Sequence, residues 1–152
     1  MTKERKNETL VFLELEIQRA KENAEKTDEA SKFIMTGPSQ SGDKYHAQNA
    51  AALAKSYVKR LEKLKKEIQE AKEEPETIVK PTCYIEVEYD DGSKLNFYLV
   101  ENAVSLAGFL FISSLSPLGS SILEKKVGET FTYEFQKDGA KRKFSGKIVR
   151  IE

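Results

Sequence analysis

Apolar and small residues recur from Leu10 at Leu13, Ile17, Ala20, Ala24, Thr27, Ser31 and Ile34, a 3-4-3-4-3-4-3 spacing. A second run keeps the same spacing through Ala47, Ala50, Ala54, Tyr57, Leu61, Leu64, Ile68 and Ala71. Each run lines one face of a helix. Two such stripes of similar length, separated by the Gly- and Ser-containing stretch TGPSQSGD, predict an antiparallel coiled-coil hairpin. Folding about residues 39–40 sets Leu10, Leu13 and Ile17 opposite Ile68, Leu64 and Leu61. Ala20 and Ala24 then face Tyr57 and Ala54. Small residues toward the tip bury little area. At about 25 cal/mol per Å², the larger residues at the base carry most of the stability. About 26 helical residues at 1.5 Å each make an arm of roughly 39 Å.

Past Lys72-Glu73-Glu74-Pro75-Glu76 the period changes, and Pro75 cannot continue a helix. Tyr84 to Tyr89 alternates as a half-buried strand. Asp90-Asp91-Gly92-Ser93 reads as a hairpin turn, and Lys94 to Val100 as the returning strand. Phe109 to Ile112 is a short apolar run of strand type. Pro117 to Lys125 reads as a short helix, with Ser116 as its N-cap and proline in its first turn. Phe131 to Phe135 and Lys143 to Ile151 complete the set, joined by a turn at Asp138-Gly139. The expected fold is α+β: a hairpin arm over residues 1–74 with its tip at 35–44, a linker at 75–80, and a small antiparallel sheet domain with one short helix at 81–152.

Composition narrows the function. Charged residues make up 33% and apolar residues 39% of 152, which suits an elongated, solvated part joined to a small core. The 25 basic and 25 acidic residues cancel, so global charge gives no drive toward duplex DNA or a membrane surface. One cysteine, Cys83, excludes an internal disulfide, fits a reducing cytosol and reads as a small buried residue. One Cys and one His do not make an ordinary four-ligand zinc site. No signal peptide or membrane span is legible, and a cytoplasmic monomer is expected.

Two stretches carry a resemblance. Ile112 to Thr130, ISSLSPLGSSILEKKVGET, resembles the IS-x-x-SP-x-G-x-x-L-x-x-K-x-x-GD signature of the Gre family. Gly42-Asp43, followed by Tyr45-His46-Ala47, is similar to the tip of a Gre coiled coil. The resemblance implies an FKBP-like fold for the sheet domain. It implies a bacterial transcription elongation regulator that docks on RNA polymerase and threads its arm into the secondary channel. In that family an Asp and a Glu at the tip help the polymerase hold a second Mg²⁺, and the polymerase cleaves the backtracked RNA 3′ end. The implied protein has no cofactor of its own and is not itself an enzyme.

The family tip is similar to G-D-x-x-E-N-x-E-Y-H-A, whereas this chain has Gly42-Asp43-Lys44-Tyr45-His46-Ala47. The second acid is missing. Asp43 alone can supply a metal ligand, and only within the polymerase, because Mg²⁺ usually takes one or two carboxylates with other oxygens. The expectation is channel binding with weak or absent stimulation of cleavage. A helix N-cap accounts for Asp43 equally well. Tyr45 and His46 are tip residues that contact RNA or polymerase, or pack. Lys59, Arg60, Lys63 and Lys66 form a basic stripe that either holds extruded RNA or is a solvated flank. Ser116, Pro117, Leu118 and Gly119 are the polymerase-binding candidates, and also make sense as a strand-to-helix connector. Two other functions compete. A coiled-coil adaptor or chaperone would expose apolar residues at the tip, where Phe33, Ile34 and Met35 stand. A peptidyl-prolyl isomerase would need an aromatic pocket commonly floored by Trp, of which there is none.

Overall fold

The computed structural model describes residues 1–33, 41–74, 76–137 and 139–152. Two long helices, α1 (Lys3–Phe33) and α2 (Ser41–Glu70), form the predicted hairpin. At about 1.5 Å per residue, α1 alone is about 46 Å long. Residues 34–40, which include 35–40 of the tip expected at 35–44, lie outside the described residues, as do Pro75 of the linker and Asp138 of the last turn. Neither described helix is long and apolar enough to cross a membrane.

The seam is dry at the base. Leu13, Leu61, Leu64 and Ile68 have no exposed surface, and Ile17, Ala20 and Ala24 are buried above them on α1. On α2 the seam departs from the predicted stripe toward the tip. Ala51 and Val58 are buried where Ala50 and Tyr57 were expected, and Ala50 is exposed. The two phases differ by one residue, about 100° of rotation. A run of alanines offers no contrast in side-chain size to choose between them. Ion pairs Glu14–Lys65, Lys21–Glu62 and Asp28–Lys55 cross the hairpin at rising levels.

The sheet domain contains β1 (Cys83–Tyr89), β2 (Lys94–Val100), β3 (Phe111–Ser113), α3 (Pro117–Ile122), β4 (Thr130–Lys137) and β5 (Ala140–Ile151). The strand order is β3-β2-β1-β5-β4. The β1–β2 turn forms as predicted: Gly92 takes φ +81, and Asp91 accepts from the Ser93 amide and hydroxyl. The sheet is mixed, not purely antiparallel, because β3 pairs parallel to β2. The chain reaches β3 by looping across residues 101–110, which places Val104 in the arm's core and packs Phe109 against Phe12 of α1, ring centroids 4.5 Å apart and planes tilted by 33°. A three-residue strand has no alternation to reveal its direction. Phe109 was expected to open that strand and instead packs against the arm. The short helix also ends early, at Ile122, because Glu124 (φ +63) turns back to donate its amide to Val79.

The sheet is buried on both faces. Tyr84, Tyr98, Val100, Val104 and Phe111 join Leu13, Ile17, Leu61, Leu64 and Ile68 in one core. Val79, Cys83, Ile85, Val87, Phe97, Leu99 and Ile148 pack under Leu118 and Ile122 of α3 in the other. Double burial explains why Phe97 to Val100 is an unbroken apolar run. Polar ties reinforce the mount. Arg5 stacks on the Tyr84 ring at 3.7 Å and pairs with Glu152, and the Glu67 carboxylate accepts from the amides of Glu101 (2.6 Å) and Asn102 (2.9 Å).

Leu64 sits where both helices and the sheet domain meet. Leu64→Ala is expected to cost about 3 kcal/mol of unfolding free energy, measured by urea titration. A cost below about 1 kcal/mol contradicts a shared core at the arm's base.

Candidate functional site

The far end of the arm carries one acid. Between Glu29 and Glu62 the only carboxylate in the sequence is Asp43. It lies in the first turn of α2, as the third residue of the helix, and not at the N-cap position expected of it. There it is exposed, beside the positive end of the helix dipole. Tyr45 (63% exposed) and His46 follow on the same turn, their rings edge to face at 6.0 Å. The acids nearest in sequence on the other helix are Asp28 and Glu29. Asp28 is occupied: Lys32 donates at 2.7 Å and Lys55 at 2.5 Å. Among the described residues no group of three or more His, Cys, Asp or Glu is placed to hold a metal ion.

The basic stripe on α2 does not act as one unit. Arg60 donates to the Ala103 carbonyl at 3.3 Å and so ties the arm to the sheet domain. Lys66 makes a long pair with Glu70 at 3.8 Å. Lys59 and Lys63 are exposed and have no acid within 4.0 Å among the described residues. Lys63 and Lys66 line a cleft of about 510 Å³ at the arm–domain junction, where Glu67, Glu70, Glu76 and Glu101 offset the lysines.

The third group is a built corner. Ser116 caps α3, its hydroxyl accepting from the Gly119 amide at 3.0 Å, and Pro117 occupies the first turn. Leu118 is buried under the sheet. Gly119 has no room for a side chain, since a Cβ there would lie 2.1 Å from the Ser113 carbonyl oxygen. The connector reading therefore accounts for all four residues, and of the four only Pro117 is exposed, with Ser116 half-buried. Leu115, just before the cap, is 89% exposed. Beside the corner runs a groove of about 310 Å³ lined by Pro117, Leu118, Tyr133, Phe135 and Phe144. Sequence reasoning missed Leu115, although a lone leucine in Ser114-Leu115-Ser116 was a visible signal. It also missed Glu67, for which a glutamate in a charged helix gives none.

Two outcomes follow from this geometry. Gly119→Ala is expected to cost about 2 kcal/mol or more, read by thermal or urea unfolding, because backbone blocks the new methyl. The hydrogen bonds from Lys32 and then Lys55 hold the Asp28 carboxyl down, at about 2 against an ordinary 3.8. A lowered carboxyl stabilises the fold above its ordinary value and loses that contribution as pH falls through about 2. The pair is exposed and screened, so the effect is small. Between about pH 4 and pH 2, arm helicity followed by circular dichroism is expected to fall more in wild type than in Asp28→Asn.

Residues 74–152, just over half the chain, match the family described as "Transcription elongation factor, GreA/GreB, C-term". Solved structures give matches of low superposition. GreA factor homolog 1 (Gfh1) of Thermus thermophilus is 20% identical over 94% of this chain and 94% of its own, with a TM-score of 0.39. Thermus aquaticus Gfh1 is 22% identical over 100% and 96%, with a TM-score of 0.43. The elongation factor GreA/GreB from Nitrosomonas europaea is 24% identical over 60% and 78%, with a TM-score of 0.40. No curated protein matches the chain. The GreA/GreB match spans the sheet domain that carries the Ser116–Gly119 corner, and the chain belongs to the GreA/GreB family of transcription elongation factors.

Proposed function

We propose that the protein binds bacterial RNA polymerase through its sheet domain and extends its arm into the secondary channel, regulating elongation with weak or absent stimulation of transcript cleavage. The observation that carries this reading is the arm itself. A hairpin about 46 Å long stands on a buried, ion-paired base and ends in a stretch with a single exposed carboxylate. Such a lever delivers its tip to a deep site, and one carboxylate supplies at most one ligand or orients one water there. Asp28 is held by two lysines and is not available as the second acid. The protein then adds no chemistry of its own, and any cleavage belongs to the polymerase and its Mg²⁺.

The docking surface on this reading is the exposed Leu115 and the Ser116–Pro117 corner beside it, with the buried Leu118 and Gly119 holding its shape. Tyr45 and His46 reach the active centre with Asp43. Lys59 and Lys63, the cations of the stripe with no described partner, flank the RNA 3′ end in the channel.

The test is binding to bacterial core RNA polymerase, followed in the same reaction by cleavage of a backtracked transcript. Wild type is expected to bind and to compete with an active cleavage factor while cutting slowly or not at all. Leu115→Asp is expected to weaken binding at least tenfold. Asp43→Ala is expected to leave binding intact and to remove residual cleavage. Fast cleavage by wild type overturns the weak-stimulation part, and no binding overturns the whole reading.

A further inference from the structure

The far end of the β4–β5 ribbon is unlike the rest of this charge-balanced surface. In register, Phe131 stands opposite Gly146, Tyr133 opposite Phe144, and Phe135 opposite Arg142. Directly paired residues share a face, so these side chains form one ladder. At its inner end Phe131 is buried in the core beneath α3. Further out the ribbon passes beyond its cover. Tyr133 and Phe144 stack at 5.3 Å with planes 16° apart, and Phe144 and Phe135 are 36% and 47% exposed. The ladder ends in Arg142. Lys141 and Lys143 flank it in sequence and lie on the reverse face of the ribbon, across from Gln136 and Glu134.

Residues 132–145 contain four basic and two acidic side chains in a chain whose totals are equal. Among the described residues no acid lies within 4.0 Å of the Lys141, Arg142 or Lys143 charges, and even Glu134, across from Lys143, does not pair with it. Elsewhere the sheet's cations are neutralised: Lys147 and Lys94 by Glu88, Arg150 by Glu86 and Glu152. An aliphatic protein partner would use the apolar groove but leave three adjacent cations uncompensated. Exposed aromatic rings ending in an arginine, with two more cations behind, suit a ligand with flat π-faces and regular negative charge. A duplex hides its base faces, so the strand must be unpaired.

We infer that the outer end of the β4–β5 ribbon binds single-stranded RNA, with bases stacking on Phe135 and Phe144 and phosphates meeting Arg142, Lys141 and Lys143. RNA is the choice because a transcription elongation factor works where unpaired transcript is present. The inference needs no polymerase, so its test stands apart from that of the docking reading.

The experiment is fluorescence anisotropy of a labelled oligouridine of about 20 nucleotides with the full chain and no polymerase, in low and moderate salt. Binding is expected to weaken about 20-fold between 50 and 200 mM salt, as about three neutralised phosphates require. Phe135→Ala and Phe135→Leu are both expected to weaken binding about tenfold, because leucine keeps the apolar surface and loses the π-face. Arg142→Ala is expected to lower both affinity and salt dependence, and the melting temperature of each variant checks that the exposed ribbon remains folded. The inference is overturned by no binding at low salt, by unchanged binding in Phe135→Leu, or by tighter binding to oligothymidine DNA than to RNA. It is likewise overturned if the ribbon variants keep RNA binding and lose only polymerase binding, which makes the ladder a protein contact.

Discussion

The burial of Leu13, Leu61, Leu64 and Ile68 against Tyr84, Tyr98, Val100 and Phe111 is the contact on which the rest of the molecule depends. Two helices lined by alanine toward their tip remove too little apolar surface from water to hold each other there. The arm stands because its base shares a core with one face of the sheet. The sheet in turn has two apolar faces, and would expose one of them without the arm. Each part therefore supplies the cover that the other lacks.

Polar groups then hold the arm's direction. Arg5 lies over Tyr84 and pairs with Glu152, Arg60 reaches the Ala103 carbonyl, and Glu67 accepts from residues 101 and 102. These ties join both helices to β1, to the chain end and to the β2–β3 loop. The far end of α1, about 30 Å beyond Leu13, moves widely for a small rotation at the base, so such anchors matter more than their individual energies suggest. The proposed function rests on this mechanical property as much as on Asp43.

The two candidate surfaces of the sheet domain show how one motif serves both structure and recognition. Ser116, Pro117, Leu118 and Gly119 are each accounted for by local geometry: a cap, a first-turn proline, a buried side chain and a clash-free backbone crossing. Leu118 and Gly119 act on a partner only indirectly, by holding the corner from which Leu115 and Pro117 are exposed, while Phe135 and Phe144 form the second surface, on the β4–β5 ribbon. A motif of this kind is recognisable because packing constrains it tightly.

The sequence by itself determined the two helices, the strands β1 and β2 with their Asp91-Gly92 turn, the cap of α3 and the single carboxylate near the tip. These follow from period, from turn chemistry and from counting, all of which act over a few residues. It also carried the family signature. Tertiary structure alone decided the rest. The phase of the alanine-rich seam on α2 turned on which face met α1, since equal side chains leave no local preference. The parallel pairing of β3 and the capture of Phe109 by Phe12 depended on a loop reaching the arm. Glu67 and Arg5 became anchors, and Phe135 and Phe144 remained exposed, because of what lay across from them. Burial and pairing between residues distant in the chain are properties of the assembled fold, and no local pattern encodes them.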